Sequence, residues 1–234
     1  MDTTIKDIAH SAQVSYATVS RALNNKYGVN PKTRDRILKI AKDLNYSPNA
    51  IARGLVSKKS FTIGLILPDI TNPYFPEIAA GIEEAANARS YSVFLCNTNN
   101  NEKRERWYLN LLSQRRVDGI LMAPTGHSSE RPDPHSSGDL PLVYVSNAPL
   151  QTRHSSVLID NVRGGYIATK HLIDCGFHSM GYIGVREEDM RDNERFEGYK
   201  LALDRHGRIF EEEYCRFGDF KQESGYKLIQ EMIS

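Results

Sequence analysis

The chain predicts a small all-α head of helix-turn-helix type followed by an α/β body of two doubly wound parallel-sheet lobes, the second of them incomplete. Three observations carry this. Apolar residues recur at helical spacing through the first 47 residues, the charge balance changes sign near residue 60, and strand-length apolar runs then alternate with amphipathic helices.

The head starts with a helix over residues 4–12. Ile5, Ile8, Ala9 and Ala12 fall at i, i+3, i+4 and i+7, with Thr4 as N-cap and Asp7 at the third helical position. Only Gln13 and Val14 separate it from a second helix over 15–24, so the two must cross steeply. Ser15 caps that helix and Val19 and Leu23 face inward, which leaves Tyr16, Ala17, Ser20, Arg21 and Asn24 on a side that could enter a DNA major groove. A third helix begins at Asn30, a good N-cap, with Pro31 at the first helical position. Its stripe is Ile37, Ile40, Ala41 and Leu44, and Asn45 can end it in a left-handed conformation. Residues 49–56 are too short for a helix that stands alone in water and should order only when something holds them.

Charge supports a nucleic-acid reading. Residues 1–60 hold eleven Lys or Arg against four acids, a balance of +7, while the remaining 174 residues hold 19 against 25, a balance of −6. The formal +1 of the whole chain therefore conceals a basic head on an acidic body, the polarity that phosphate binding with counterion release requires.

In the body, residues 61–67, 92–96 and 119–123 are apolar runs of strand length, and 75–88 and 102–115 carry helical spacing between them. This βαβ rhythm indicates a parallel sheet. Strands at 142–145 and 157–159 complete one lobe. A second series follows, with helices at 164–175, 193–206 and 222–233 and strands at 181–185 and 214–217. Ligands in such sheets lie outside the carboxyl ends of the strands, which marks residues 68–75, 159–161 and 195–199.

Residues 4–9, 14–21, 29–31 and 46–52 together resemble the head-piece of the LacI/GalR family of bacterial transcriptional regulators. The resemblance implies a repressor that binds a bent, palindromic operator in duplex DNA as a homodimer, or as a tetramer built from it. Tyr16, Ala17 and Arg21 would read base edges, with Ser15, Thr18, Ser20 and Asn24 on the same helix at the groove. Paired hinge helices would bring Asn49, Ala52 and Leu55 to the minor groove, Leu55 wedging open the central base step. Gln13 stands where the family usually has glycine, at a position favouring positive φ, which implies strain of about 1 kcal/mol. Gly54 inside the hinge lowers helix propensity by roughly the same amount.

The body resembles the effector-binding lobes of the same family, which are similar to periplasmic sugar-binding proteins. By that resemblance Tyr74 and Phe75 stack on a small effector, sugar-like or nucleoside- and purine-like. Asp69 and Asp160 accept its hydroxyls or amines, and Arg195 binds an oxygen through its fork of donors. Other roles remain open for each: Tyr74 and Phe75 as core aromatics, Asp69 as a helix cap, Arg195 paired with Glu197 or Asp192. The implied organisation is a DNA-binding domain at 1–47, a hinge and linker at 48–60, a first lobe at 61–160 and a partial second lobe at 161–234. Ligand in the cleft would rotate the first lobes and separate the hinges. Because the chain ends at Ser234 inside the second lobe, an unpaired strand edge and apolar helix faces are expected there.

An enzyme is not expected. GxGxxG, Walker, GxSxG and HExxH patterns are absent, and Gly181-Tyr182-Ile183-Gly184 lacks dinucleotide-loop spacing. His171, Cys175 and His178 suggest a metal site only weakly, without a CxxC or second ligand pair, so neither metal nor cofactor is expected. Three cysteines, two in apolar strands, suit a reducing cytoplasm, and neither a signal peptide nor a membrane-length apolar run is present. The expected location is the bacterial cytoplasm, at the nucleoid. The alternative function is a sugar-binding module without regulatory DNA binding, which leaves the basic head unused.

Overall fold

A computed structural model describes residues 3–46, 59–125, 140–149, 152–185 and 190–233. The expected hinge helix at 49–56, with Asn49, Ala52, Gly54 and Leu55, lies outside them. The chain forms two compact units, Met1–Lys58 and Lys59–Ser234.

In the first unit, α1 (Ile5–Ser11), α2 (Tyr16–Leu23) and α3 (Pro31–Asp43) enclose a core of Ile8, Ala12, Val19, Ala22, Ile37 and Ala41. Ile8, Val19 and Ile37 are fully buried, each contributing on the order of 1.5–3 kcal/mol of transfer free energy. The caps follow the sequence. The Asp7 carboxylate accepts from the Thr4 N–H at 2.8 Å and the Thr4 hydroxyl at 2.7 Å, and the backbone bond is the main cause that holds its pKa below 3.8. Ser15 Oγ accepts from the Thr18 N–H at 3.1 Å, and Asn30 Oδ1 from the Lys32 N–H at 2.9 Å. Gln13 sits at φ +49° and Asn45 at φ +50°, where the Tyr46 N–H returns to the Ala41 carbonyl at 2.8 Å. Two details of the stripes differ from expectation. Leu44 is 37 % exposed because the helix ends at Asp43 and Leu44 becomes its C-cap, and Ala22 takes the fully buried place beside a half-buried Leu23.

The second unit opens with a five-stranded parallel sheet of order β2-β1-β3-β4-β5, made of Thr62–Leu67 (β1), Ser92–Asn97 (β2), Gly119–Met122 (β3), Leu142–Ser146 (β4) and Ser155–Leu158 (β5). Helix α4 (Tyr74–Asn87) lies with Leu65, Leu67 and Ala123, and α5 (Glu102–Gln114) with Ile66, Ile120 and Met122. Alternate residues of β1 thus serve opposite faces, which is why the strand reads as a continuous apolar run. Gly64 lets α5 approach, since a Cβ there would meet Leu112 Cδ1 at 2.4 Å. The edge strand β5 is a different case. It runs over 155–158 instead of 157–159, and Val157, Leu158 and Ile159 are 65 %, 55 % and 47 % exposed. Short apolar runs read alike whether a sheet face is covered or open.

The remainder comprises α6 (Asn161–Asp174), β6 (Tyr182–Val185), α7 (Met190–Arg205), β7 (Cys215–Gly218) and α8 (Gln222–Ile233), with β6 and β7 in a two-stranded parallel sheet. Met180, Tyr199, Leu203 and Cys215 form its core, with Tyr182, Phe196 and Phe217 packed on it. Helix α6 begins at Asn161, three residues before the expected start, because Asp160 caps it by accepting from the Arg163 N–H at 2.8 Å. The helices α6 and α7 cross backbone to backbone. A Cβ on Gly165 would lie 2.1 Å from the Arg195 carbonyl oxygen, and one on Gly198 2.0 Å from that of Val162.

Candidate DNA-binding and ligand-binding sites

Core packing through Val19 and Ala22 fixes which side of α2 is free. Ser15, Tyr16, Ala17, Arg21 and Asn24 are exposed, Tyr16 by 55 %, while Thr18 and Ser20 are half-buried. Thr18 shares its hydroxyl with Ser15 Oγ at 2.9 Å, and Asn24 Nδ2 donates to the Ser20 carbonyl at 2.8 Å, so both also serve the helix ends. Not every cation of the head is given over wholly to phosphate. Arg34 Nη2 donates to the Lys26 carbonyl at 2.6 Å and Arg36 Nη2 to that of Ala12 at 3.0 Å. Both clamp the ends of neighbouring segments, a use that the charge count did not reveal.

In the body the expected ligand residues divide. Asp69 does not cap α4. Its Oδ1 accepts from the Thr71 N–H at 2.8 Å and hydroxyl at 2.7 Å, closing a turn, while Asn72 Oδ1 receives the Tyr74 N–H at 3.1 Å. Half-buried Tyr74 donates its hydroxyl to Ser146 Oγ at 2.9 Å. Ser146, at φ +70°, holds a strained backbone at the carboxyl end of β4. Phe75 requires a correction: at 3 % exposure it packs with Leu65, Leu67 and Ala123 as a core aromatic, edge-on to Tyr74 with centroids 5.1 Å apart. It supports Tyr74 and has no open face for a ligand.

Arg195 lines a cleft of ≈ 640 Å³ with Ile159, Asn161, Tyr199, Asp219 and Lys221. Its Nε donates to Asn161 Oδ1 at 2.9 Å, and Asn161 Nδ2 donates in turn to Glu194 Oε2 at 3.0 Å. The guanidinium is therefore oriented by Asn161, which is 5 % exposed. Asp69, Tyr74, Phe75 and Asp160 do not line this cleft. Burial pushes the Tyr199 phenol up to about 12, so it stays a neutral donor, bonded to the Met180 carbonyl at 3.0 Å.

Sequence reasoning missed Asn161 as a positioning group, although its place just after a helix-capping aspartate was a usable signal. It also missed a buried polar trio, in which Glu105 Oε2 accepts from the Thr125 N–H at 2.6 Å and Thr125 Oγ1 lies 2.6 Å from Thr98 Oγ1. No local pattern marks those residues. His171 Nε2 and Cys175 Sγ lie 3.7 Å apart on α6, and among the described residues no group of three or more His, Cys, Asp or Glu could hold a metal ion. Among those residues, too, no helix is long and apolar enough to cross a membrane.

A short-linked helix pair with one exposed face, ahead of an α/β body with a ligand-sized cleft, is the architecture of a ligand-associated DNA-binding regulator. Residues 4–49 match the family model of bacterial regulatory proteins of the lacI family, and residues 60–234 match that of periplasmic binding proteins and the sugar-binding domain of the LacI family. The chain belongs to the LacI family of bacterial transcriptional regulators, and its function is DNA-binding transcription regulation, not catalysis. Over its whole length it is 36 % identical to the HTH-type transcriptional regulator RegA of Clostridium saccharobutylicum, covering 70 % of that protein. The fold is that of the Lac repressor dimer bound to operator and an anti-inducer, with a TM-score of 0.88 at 23 % identity over 100 % of this chain and 70 % of that one. A complex of the transcriptional regulator CelR with cellobiose is similar at 27 % identity and a TM-score of 0.65, over 99 % of this chain and 70 % of that one.

Proposed function

We propose that the protein is a homodimeric repressor that grips an inverted-repeat operator with two heads, under the control of a small oxygen-rich effector held by the body. The observation that carries this is the exposed face of α2 within the first 60 residues, whose charge is +7. In this reading Tyr16, Ala17 and Arg21 contact base edges, Ser15, Thr18, Ser20 and Asn24 flank them, and Asn49, Ala52 and Leu55 of the hinge enter the minor groove. The domain limits follow the same division, with the hinge at 48–60 and the two lobes meeting near residue 160. A body without a regulatory head does not account for residues 4–49, which match the family's regulatory model.

For the effector, the oriented guanidinium of Arg195 donates to a ligand oxygen in its cleft; outside that cleft, in this reading, Tyr74 offers a ring backed by Phe75, and Asp69 and Asp160 accept hydroxyls with the lone pairs that their turn and cap leave. A sugar-class effector fits this donor and acceptor set, and cellobiose is the molecule bound by the similar regulator CelR. Action in the bacterial cytoplasm, at the nucleoid, follows from operator binding.

The test is selection of a preferred duplex from a randomised library, followed by binding of Arg21→Ala to that duplex and to versions with altered half-sites. The variant should lose about 1–3 kcal/mol on the preferred duplex and discriminate less at one position of each half-site. Equal losses on every sequence would remove Arg21 from the reading face, and selection of no inverted repeat would overturn the function proposed.

A further inference from the structure

The first residues of the body are fastened by one carboxylate. Asp118 Oδ1 accepts from the Ser60 N–H at 2.7 Å and the Ser60 hydroxyl at 3.0 Å, and Oδ2 accepts from the Phe61 N–H at 3.1 Å. Two successive backbone donors converge on it because Phe61 is held at φ +52°, in the left-handed region where a side chain of its kind is costly. The Phe61 ring lies 5.5 Å from that of Tyr91, and Tyr91 also bonds to Asp118 through its hydroxyl. On the other side the Asp118 N–H donates to the Thr62 carbonyl at 2.8 Å, and the Phe61 carbonyl receives the Ser92 N–H at 2.9 Å. Burial raises the Asp118 pKa, but the bonds from Ser60, Tyr91 and Phe61 outweigh it and hold the group below 3.8, so it is a full anion at neutral pH.

This is more fastening than a strand start needs. Strand β1 is already paired on both sides, with β2 and with β3, from its first residues. The additional bonds restrain Ser60 and Phe61, which precede the strand, and Lys58 ends the compact unit that holds the head. Asp118 itself leads directly into β3, whose other end runs on through Ala123 to Thr125, a member of the buried polar trio.

We propose that Asp118 is a positioning residue for DNA binding: by clasping Ser60 and Phe61 it fixes the point on the body from which each head is carried, and so the spacing of two heads on an inverted repeat. The proposal rests on the dimeric operator reading above. It concerns a group that touches no DNA and adds nothing to the affinity of one head for one half-site. Its effect lies in the effective concentration of the second head once the first is bound. Loosening the clasp widens the volume that the second head explores and lowers two-headed affinity alone.

The experiment uses the full-length chain and two duplexes, the inverted repeat selected by the wild type and the same length with one half-site scrambled. Asp118→Asn keeps the shape but turns an amide toward one of the donors. It should lower affinity for the inverted repeat by about tenfold while half-site binding changes by less than about twofold. Tyr91→Phe, which leaves the Ser60 and Phe61 bonds in place, should keep the wild-type ratio. If Asp118→Asn fails to fold by its melting profile, Ser60→Ala decides, with an expected loss of about threefold in the same ratio. An unchanged ratio in folded Asp118→Asn, or in Ser60→Ala where that variant decides, overturns the clasp. So does an equal loss on both duplexes, which would mean that the head itself is damaged. A wild type with no preference for the inverted repeat fails earlier and overturns the dimeric reading on which the clasp depends.

Discussion

At the scale of single residues, short-range hydrogen bonds hold the ends of the head's helices. The caps at Thr4, Ser15 and Asn30 and the left-handed turn at Asn45 depend on neighbours within four residues or fewer. Phe75 and Asp118 do not. Whether an aromatic at a helix start is a ligand platform or a core residue depends on a strand several residues away, and the backbone donors to the Asp118 carboxylate lie 57 and 58 residues before it. Gln13 shows the local rule at work. At φ +49° it carries a Cβ in a conformation that glycine adopts freely, so Gln13→Gly should stabilise the head by up to about 1 kcal/mol. Amide exchange at Ile8 and Ile37 should slow accordingly, and unchanged or faster exchange would show that the turn is unstrained. The cysteines give a second residue-level expectation. Burial pushes the Cys96 thiol up to about 11 and also raises that of Cys215, while Cys175 is exposed. An alkylating reagent at mildly alkaline pH should therefore modify Cys175 in the native protein and spare the other two until denaturant is added. Early labelling of Cys96, read by mass spectrometry, would mean that β2 opens readily.

Elements were legible when two signals agreed. Helices α1 to α3 have both periodicity and caps, and β1 has a long apolar run bounded by turns. The edge strand β5 had only three apolar residues, and its exposure followed from its place at the end of the sheet order, which no local pattern contains. The pairing of α6 with α7 was equally hidden, because Gly165 and Gly198 read as ordinary helix glycines that cost about 1 kcal/mol each in propensity. Their use is contact. Each missing Cβ admits a backbone carbonyl of the other helix, and this crossing sets Arg195 beside Asn161. Since the obstacle to a methyl is backbone and not the end of a flexible side chain, Gly198→Ala must push the helices apart. We expect a loss on the order of 1–3 kcal/mol of body stability by the cost of overpacking, together with weaker ligand stabilisation in a thermal shift. Gly225→Ala, where an added Cβ meets nothing within 4 Å, should raise stability slightly, and equal effects of the two would refute the close crossing.

For the whole molecule, the sequence disclosed a division of charge that the near-neutral total hides, and the structure refines it. Of the eleven cations in residues 1–60, Arg34 and Arg36 each commit a guanidinium nitrogen to a backbone carbonyl of the head itself. The others include Lys6, Arg21, Lys26, Lys32, Lys39 and Lys42, all exposed. The acidic body opposes any broad adhesion to DNA, so binding must come from a few directed phosphate contacts and the counterions that they release. Two heads that make six or more such contacts together should lose about 10³-fold or more in operator affinity between 50 and 200 mM salt, despite a net charge of only +1. If Arg21 reads a base as proposed, Arg21→Ala should leave most of that slope intact, because a base contact releases few counterions, whereas Lys32→Ala, at the start of α3, should reduce it. Anisotropy titrations at four or five salt concentrations measure both slopes. A flat dependence for the wild type would contradict phosphate-led binding, and equal reductions for the two variants would contradict the separation of reading from anchoring on which the α2 assignment depends.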